Sequence, residues 1–147
     1  LCKSKFPEIV FVVVGVREEA FEELRQRSNV LIAKDHGSTL ADDFALIRTS
    51  LLYMGVEHGI SIIAVFSDVP YLLFGRPPET GKQQGLKPGA TWEFATPYQK
   101  VFYSSFDITP QSLMKEFSVL YNQMNTDKWR EKASTEETTI LSYASSV

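Results

Sequence analysis

The sequence predicts an α/β domain: a doubly wound, mostly parallel sheet flanked by helices. Three observations carry that expectation. Strand-like and helix-like segments alternate repeatedly between Glu8 and Phe74. The first apolar run, Ile9 to Val14, is unbroken and rich in β-branched residues rather than alternating, as a strand buried on both faces should be. Polar, glycine-containing turns separate the segments. Right-handed crossovers between such strands bring their carboxyl ends to one edge, which is where open α/β sheets bind ligands.

Each element has its own signal. Pro7 and Gly15 bracket the first strand over Glu8 to Gly15. An acidic helical segment follows over Arg17 to Arg27, with Phe21 and Leu24 as its apolar anchors. Asn29 to Ala33 is the second strand. Thr39 to Ser50 carries Leu40, Phe44, Ile47 and then Leu51 at helical spacing, and Thr39 with Asp42 resembles a capping box. A third strand is expected over Leu51 to Val56, a short apolar helix over Gly59 to Phe66 and a fourth strand over Pro70 to Phe74. Arg76 to Thr91, punctuated by Pro77, Pro78, Gly81, Gly85, Pro88 and Gly89, reads as a long polar loop. Val101 to Phe106 is the fifth strand candidate. Thr109 and Pro110 then open a helix that should bury Leu113, Phe117, Leu120, Tyr121 and Met124.

Bulk composition narrows the function classes. The 147 residues fit one domain, expected over residues 1–133, with a Ser/Thr-rich flexible tail over 134–147. A hydrophobic content of 44% excludes a disordered or collagen-like chain. Fifteen Lys and Arg against 18 Asp and Glu leave a net charge of −3, so no broad basic surface asks for nucleic acid. The apolar stretch from Ile60 to Phe74 is broken by Ser67, Asp68 and Pro70 and is too short for a transmembrane segment. Cys2 is the single cysteine, and the first residues lack the apolar core of a signal peptide. The expected location is therefore cytoplasmic, with a peripheral place at the membrane face as its variant. The start at Leu1 rather than Met reads as that of a piece of a longer protein.

Several strong motifs are absent. No P-loop, no Gly-x-Gly-x-x-Gly and no paired cysteines occur, and His36 and His58 lie in different loops, so neither a cofactor nor a metal is expected. What remains is two turns of one kind. In the first, Glu57 and His58 lead from a strand into Gly59, Ile60 and Ser61 at a helix start. Backbone amides there suit an anion, and Glu57 is placed to accept hydrogen bonds from ribose hydroxyls. In the second, Lys34 and His36 precede Gly37, Ser38 and Thr39, again between a strand and a helix. Two adjacent anion-seeking turns suit a diphosphate. Each also has a plainer meaning: solvated polar residues at Glu57 and His58, and a helix cap at Ser38 or Thr39.

These residues carry a resemblance. Gly37, Ser38, Thr39 and Leu40, a helix with Ala45, Leu46 and Ile47, the turn through Gly59 to Ala64, and Pro70 to Gly75 resemble glycosyltransferases of the heptosyltransferase type. The similarity is to the carboxyl-terminal, Rossmann-like, nucleotide-sugar-binding half of a GT-B fold, and it spans about Phe6 to Gly75. That family typically shows Gly-Lys-Thr-Ser-Leu, an Ala-Leu-Ile helix, Asp-Ser/Thr-Gly-x-x-His-Leu-Ala and Pro-x-x-x-Leu-Phe-Gly. Here Ser38 stands at its Lys, Glu57 at its Asp, His58 at its Ser/Thr and Ile62 at its His.

The resemblance implies transfer of a sugar from a nucleotide-diphosphate sugar to a glycan or glycolipid acceptor. It implies substrate-binding roles for Ser38, Thr39, Glu57, His58, Gly59, Ile60 and Ser61, needs no bound metal and leaves the general base to a missing N-terminal domain. By the same comparison the Arg76–Thr91 loop borders an interdomain cleft, where Arg76, Lys82 and Lys87 meet substrate or remain solvated. Trp92, Phe94 and Tyr98 read as rings sealing the sheet edge rather than as a base-stacking platform. Two other readings stand beside the transferase: a non-catalytic α/β binding domain that has lost the site, and a GT-B-like sugar-nucleotide epimerase.

Overall fold

The computed structural model describes residues 6–16, 20–57, 59–74, 91–102 and 109–129. His58, most of the 76–91 loop, the 103–106 part of the expected fifth strand and the 134–147 tail lie outside the described residues. The chain clusters into two compact units, Leu1–Phe106 and Asp107–Val147.

Helices and short parallel strands alternate along the first unit, an α/β arrangement. β1 (Phe11–Val13) pairs with β2 (Val30–Ile32) in parallel, Val12 opposite Leu31. Between them lies α1, only Glu22–Arg25. Of the helix expected over Arg17 to Arg27, residues 17–19 lie outside the described residues, and residues 20, 21, 26 and 27 are not helical because the apolar anchoring is weak: Phe21 is exposed and Leu24 only half-buried. A 3-10 turn over Ala33–His36 follows β2 and leads to α2 (Leu40–Thr49).

A second parallel sheet has the order β3 (Tyr53–Val56), β4 (Tyr71–Phe74), β5 (Gln99–Val101). Tyr53 lies opposite Tyr71, and Tyr71 opposite Gln99. β4 is the central strand, and Tyr71, Leu72 and Leu73 are all inaccessible to solvent, which accounts for its unbroken apolar run. The expected helix over Gly59 to Phe66 divides into a 3-10 turn, Gly59–Ser61, and a single α-helical turn, α3 (Ile62–Val65).

The core joins Ile47 of α2, Tyr53, Ala64, Val65, Val69, Tyr71, Leu73 and Val101, with Val14, Ile60, Ile63 and Trp92 packed around them. Tyr53 folds back along its own strand. A Cβ at Gly55, two residues on and on the same face, would meet the Tyr53 hydroxyl at 2.7 Å, so glycine there leaves room for the ring in this position. Burial pushes the Tyr53 phenol above its ordinary value.

β5 begins two residues earlier than its apolar pattern suggests because Gln99 is a buried strand residue. Its amide nitrogen donates to the Ser67 and Val69 carbonyls at 2.6 and 3.0 Å, and its oxygen accepts from the Thr96 amide at 2.8 Å. These bonds fasten the segment after α3 to the sheet and satisfy a polar group that burial alone would penalise.

The second unit holds α4 (Pro110–Thr126). Thr109 and Ser112 form a reciprocal capping box, with Pro110 in the first turn. Phe117, Leu120 and Met124 are its buried residues, while Leu113 and Tyr121, expected to join them, are half-buried. Phe117 and Tyr121, one turn apart, stack at 5.9 Å.

Candidate functional site

Both candidate turns leave the carboxyl end of a strand in a parallel ladder. The first runs from Ile32 to Leu40. Gly37 closes the 3-10 turn in the left-handed region, with φ of 79°, where a side chain is strained. The Gly37 amide donates to the Lys34 carbonyl and the Ser38 amide to the Ala33 carbonyl, each at 3.2 Å. Thr39 is the N-cap of α2. Its hydroxyl accepts from the Asp42 amide at 3.2 Å, while its own amide and hydroxyl both donate to the Asp42 carboxylate at 2.8 and 2.7 Å. The capping box inferred from the sequence is therefore present. The Asp42 carboxyl is held below the usual carboxylate range, chiefly by the Thr39 amide, then by the Thr39 hydroxyl and more distantly by the charge on Lys34.

Lys34 has a specific partner. Its ammonium lies 2.8 Å from the Asp43 carboxylate and donates to the Ser38 carbonyl at 2.8 Å, and the Ser38 hydroxyl donates to the other Asp43 oxygen at 2.8 Å. Asp43 is 1% exposed. A carboxylate this deep needs a cation and hydrogen-bond donors, and Lys34 and Ser38 supply them. The donors expected to reach a diphosphate from Ser38 and Thr39 are thus turned onto the protein's own carboxylates.

Asp43 escaped the sequence reading, although a signal existed. It lies three residues after Leu40 and four before Ile47, on the stripe expected to be apolar, and a charge there calls for a partner. The structure places Asp43 and Ile47 inward and leaves Leu40 exposed. A second clasp holds the same turn from outside: Arg25 of α1 grips Asp35 with two nitrogens, at 2.7 and 3.3 Å, and reaches the Ala20 carbonyl. Asp35 is the main reason the Arg25 guanidinium is pushed further up.

The second turn runs from Val56 to Ile62. Glu57 is half-buried, Gly59 exposed, Ile60 half-buried against the core and Ser61 buried. Ser61 stands at the start of α3 without a side-chain cap. Gly59 differs from Gly37. Its backbone does not lie in the left-handed region, and a Cβ there would meet nothing within 4 Å. Among the described residues nothing requires glycine at 59.

The aromatic residues after the long loop divide. Trp92 packs on the core and Tyr98 is half-buried, but Phe94 projects into solvent, contrary to the edge-sealing role expected for it. Among the described residues no helix is long and apolar enough to cross a membrane. No family model, curated protein or solved structure matches this chain.

Proposed function

We propose that this chain is the Rossmann-like, nucleotide-sugar-binding half of a GT-B glycosyltransferase, holding the donor at the Glu57–Ser61 turn. The observation that carries the reading is Gly59: a glycine the fold does not need, at the carboxyl end of a parallel strand, with unfilled space where a side chain would stand. On this reading the Gly59, Ile60 and Ser61 backbone cradles the diphosphate and stabilises its charge as the bond to the sugar breaks. Glu57 accepts from a ribose or sugar hydroxyl; His58, the next residue, lies outside the described residues. The acceptor, a glycan or glycolipid, and the general base belong to a preceding domain.

Isothermal titration of the folded chain with UDP, GDP, ADP and CDP tests the proposal. Saturable binding by one of them is expected. Gly59→Val should abolish it, and Glu57→Gln should weaken it by about 1–3 kcal/mol. No saturable binding by any diphosphate overturns the reading.

A second reading, a domain of the same fold that has lost the site, is favoured by the first turn. Ser38 stands where the resembled family has lysine, and its hydroxyl is bound to Asp43 rather than presented outward. The same titration separates the two.

A further inference from the structure

The two sheets of the first unit are held in different ways. Among the described residues no backbone ladder joins β1–β2 to β3–β4–β5. In β4, Tyr71, Leu72 and Leu73 are all inaccessible to solvent, whereas β1 buries none of its residues and β2 only Ile32. The core cluster takes members from α2, β3, α3, β4 and β5 and none from β1, α1 or β2. Between β1 and β2, α1 is four residues long, has no side-chain cap and buries nothing. β2 is the main neighbour of both β1 and α1. A two-stranded sheet and a single helical turn are marginal structures on their own.

Some bonds tie this segment to itself. The Phe11 amide donates to the Asn29 carbonyl at 2.8 Å, and the Asn29 side chain donates to the Ile9 carbonyl at 3.2 Å. Its attachments to the rest are of another kind. Val14, just past β1, packs around the core, and Ala33, just past β2, is buried. Lys34 then reaches Asp43 of α2 at 2.8 Å, and the Ser38 hydroxyl donates to the same carboxylate at 2.8 Å. α2 itself belongs to the core through Ile47. Asp43 is out of contact with water, so this charge pair is the polar fastening between the weakly packed segment and the well-packed one.

We infer that β1, α1 and β2 open together as a flap while α2, α3 and the β3–β4–β5 sheet stay folded, and that the Lys34–Asp43 pair is the latch. Opening returns both charges to water. It also frees the Lys34 ammonium and the Ser38 hydroxyl, which the closed form spends on Asp43. The inference stands whether or not a diphosphate binds at the Glu57–Ser61 turn.

Native-state hydrogen exchange, followed by NMR at urea concentrations below the unfolding transition, tests it. The Phe11 amide reports on the flap. The Tyr71 amide, which donates to the Tyr98 carbonyl at 3.1 Å, reports on the larger sheet. The Phe11 amide should exchange at least about tenfold faster and with a weaker urea dependence, because flap opening exposes less surface than global unfolding. Lys34→Met leaves a carboxylate that reaches water only by opening, and should speed Phe11 exchange about a hundredfold. Ser38→Ala keeps the charge pair and should speed it about threefold to tenfold, which preserves the test if the methionine variant fails to fold. Val101→Ala weakens a core that is intact in both closed and open forms. It should speed Tyr71 exchange about tenfold and leave Phe11 exchange unchanged. Three outcomes overturn the inference: the same urea dependence for both amides, Phe11 exchange unaltered by Lys34→Met and Ser38→Ala, or Val101→Ala accelerating both amides alike.

Discussion

Two turns lead from the end of a parallel strand into a helix, and their glycines stand in different surroundings. Between Ile32 and Leu40, the Ser38 and Thr39 donors and the Lys34 ammonium are bound to Asp42, Asp43 or nearby carbonyls. Between Val56 and Ile62, Ile60 packs on the core and Ser61 is buried, while the exposed Gly59 has open space where a Cβ would stand. One strand–turn–helix grammar thus serves two ends. A turn stitched to its own helix holds the fold, and ligand binding there would first have to break internal bonds. An exposed glycine with open space where a Cβ would stand leaves room for an incoming group.

The sharpest test of that contrast is Lys34→Met, which strands a buried carboxylate with the Ser38 hydroxyl as its remaining donor. A loss of about 3 kcal/mol in urea denaturation is expected, with much of it restored in Lys34→Met/Asp43→Leu, where both charges are gone. Equal losses in the single and double variants would show that the ion pair does not organise the turn.

The two glycines come next. Gly37→Ala must take a left-handed backbone and should cost about 1–2 kcal/mol. Gly59→Ala should change stability by less than about 0.5 kcal/mol. Equal effects in thermal melts would erase the distinction on which the donor-site proposal rests.

Thr39→Ala should remove the helix cap at a cost of about 1 kcal/mol while leaving nucleoside-diphosphate affinity unchanged. A fall in affinity instead would move the site to the first turn.

The smallest effect is in pH. The Asp42 carboxyl titrates lower in the folded chain than in the unfolded one. Its contribution is therefore complete above the unfolded value and is lost as pH falls through the folded one. The stability gap between the parent chain and Asp42→Asn should narrow below about pH 4. A gap independent of pH would mean that the charge contributes nothing beyond the hydrogen bonds.

Periodicity and caps decided much before any contact was known. The unbroken apolar β4, the Thr39–Asp42 box and the Thr109–Pro110 start are local signals, whereas the β-branched run around Phe11 forms its strand but not the two-faced burial expected of it, since Val12 is exposed in a two-stranded sheet. Each depends on side chains a few residues apart, so neighbouring sequence suffices to specify it. The same holds for the ordering of strand, turn and helix. The split of Gly59 to Phe66 into a 3-10 turn and one α-turn, and the early start of β5 at Gln99, were not legible. Gln99 reads as a loop residue until the carbonyls of Ser67 and Val69, some thirty positions away, are brought to it. The inward turn of Asp43 and the outward projection of Phe66 and Phe94 belong to the same class. Whether a polar group is spent on the protein or offered to a ligand depends on which distant atoms fold against it, and that only the tertiary structure decides.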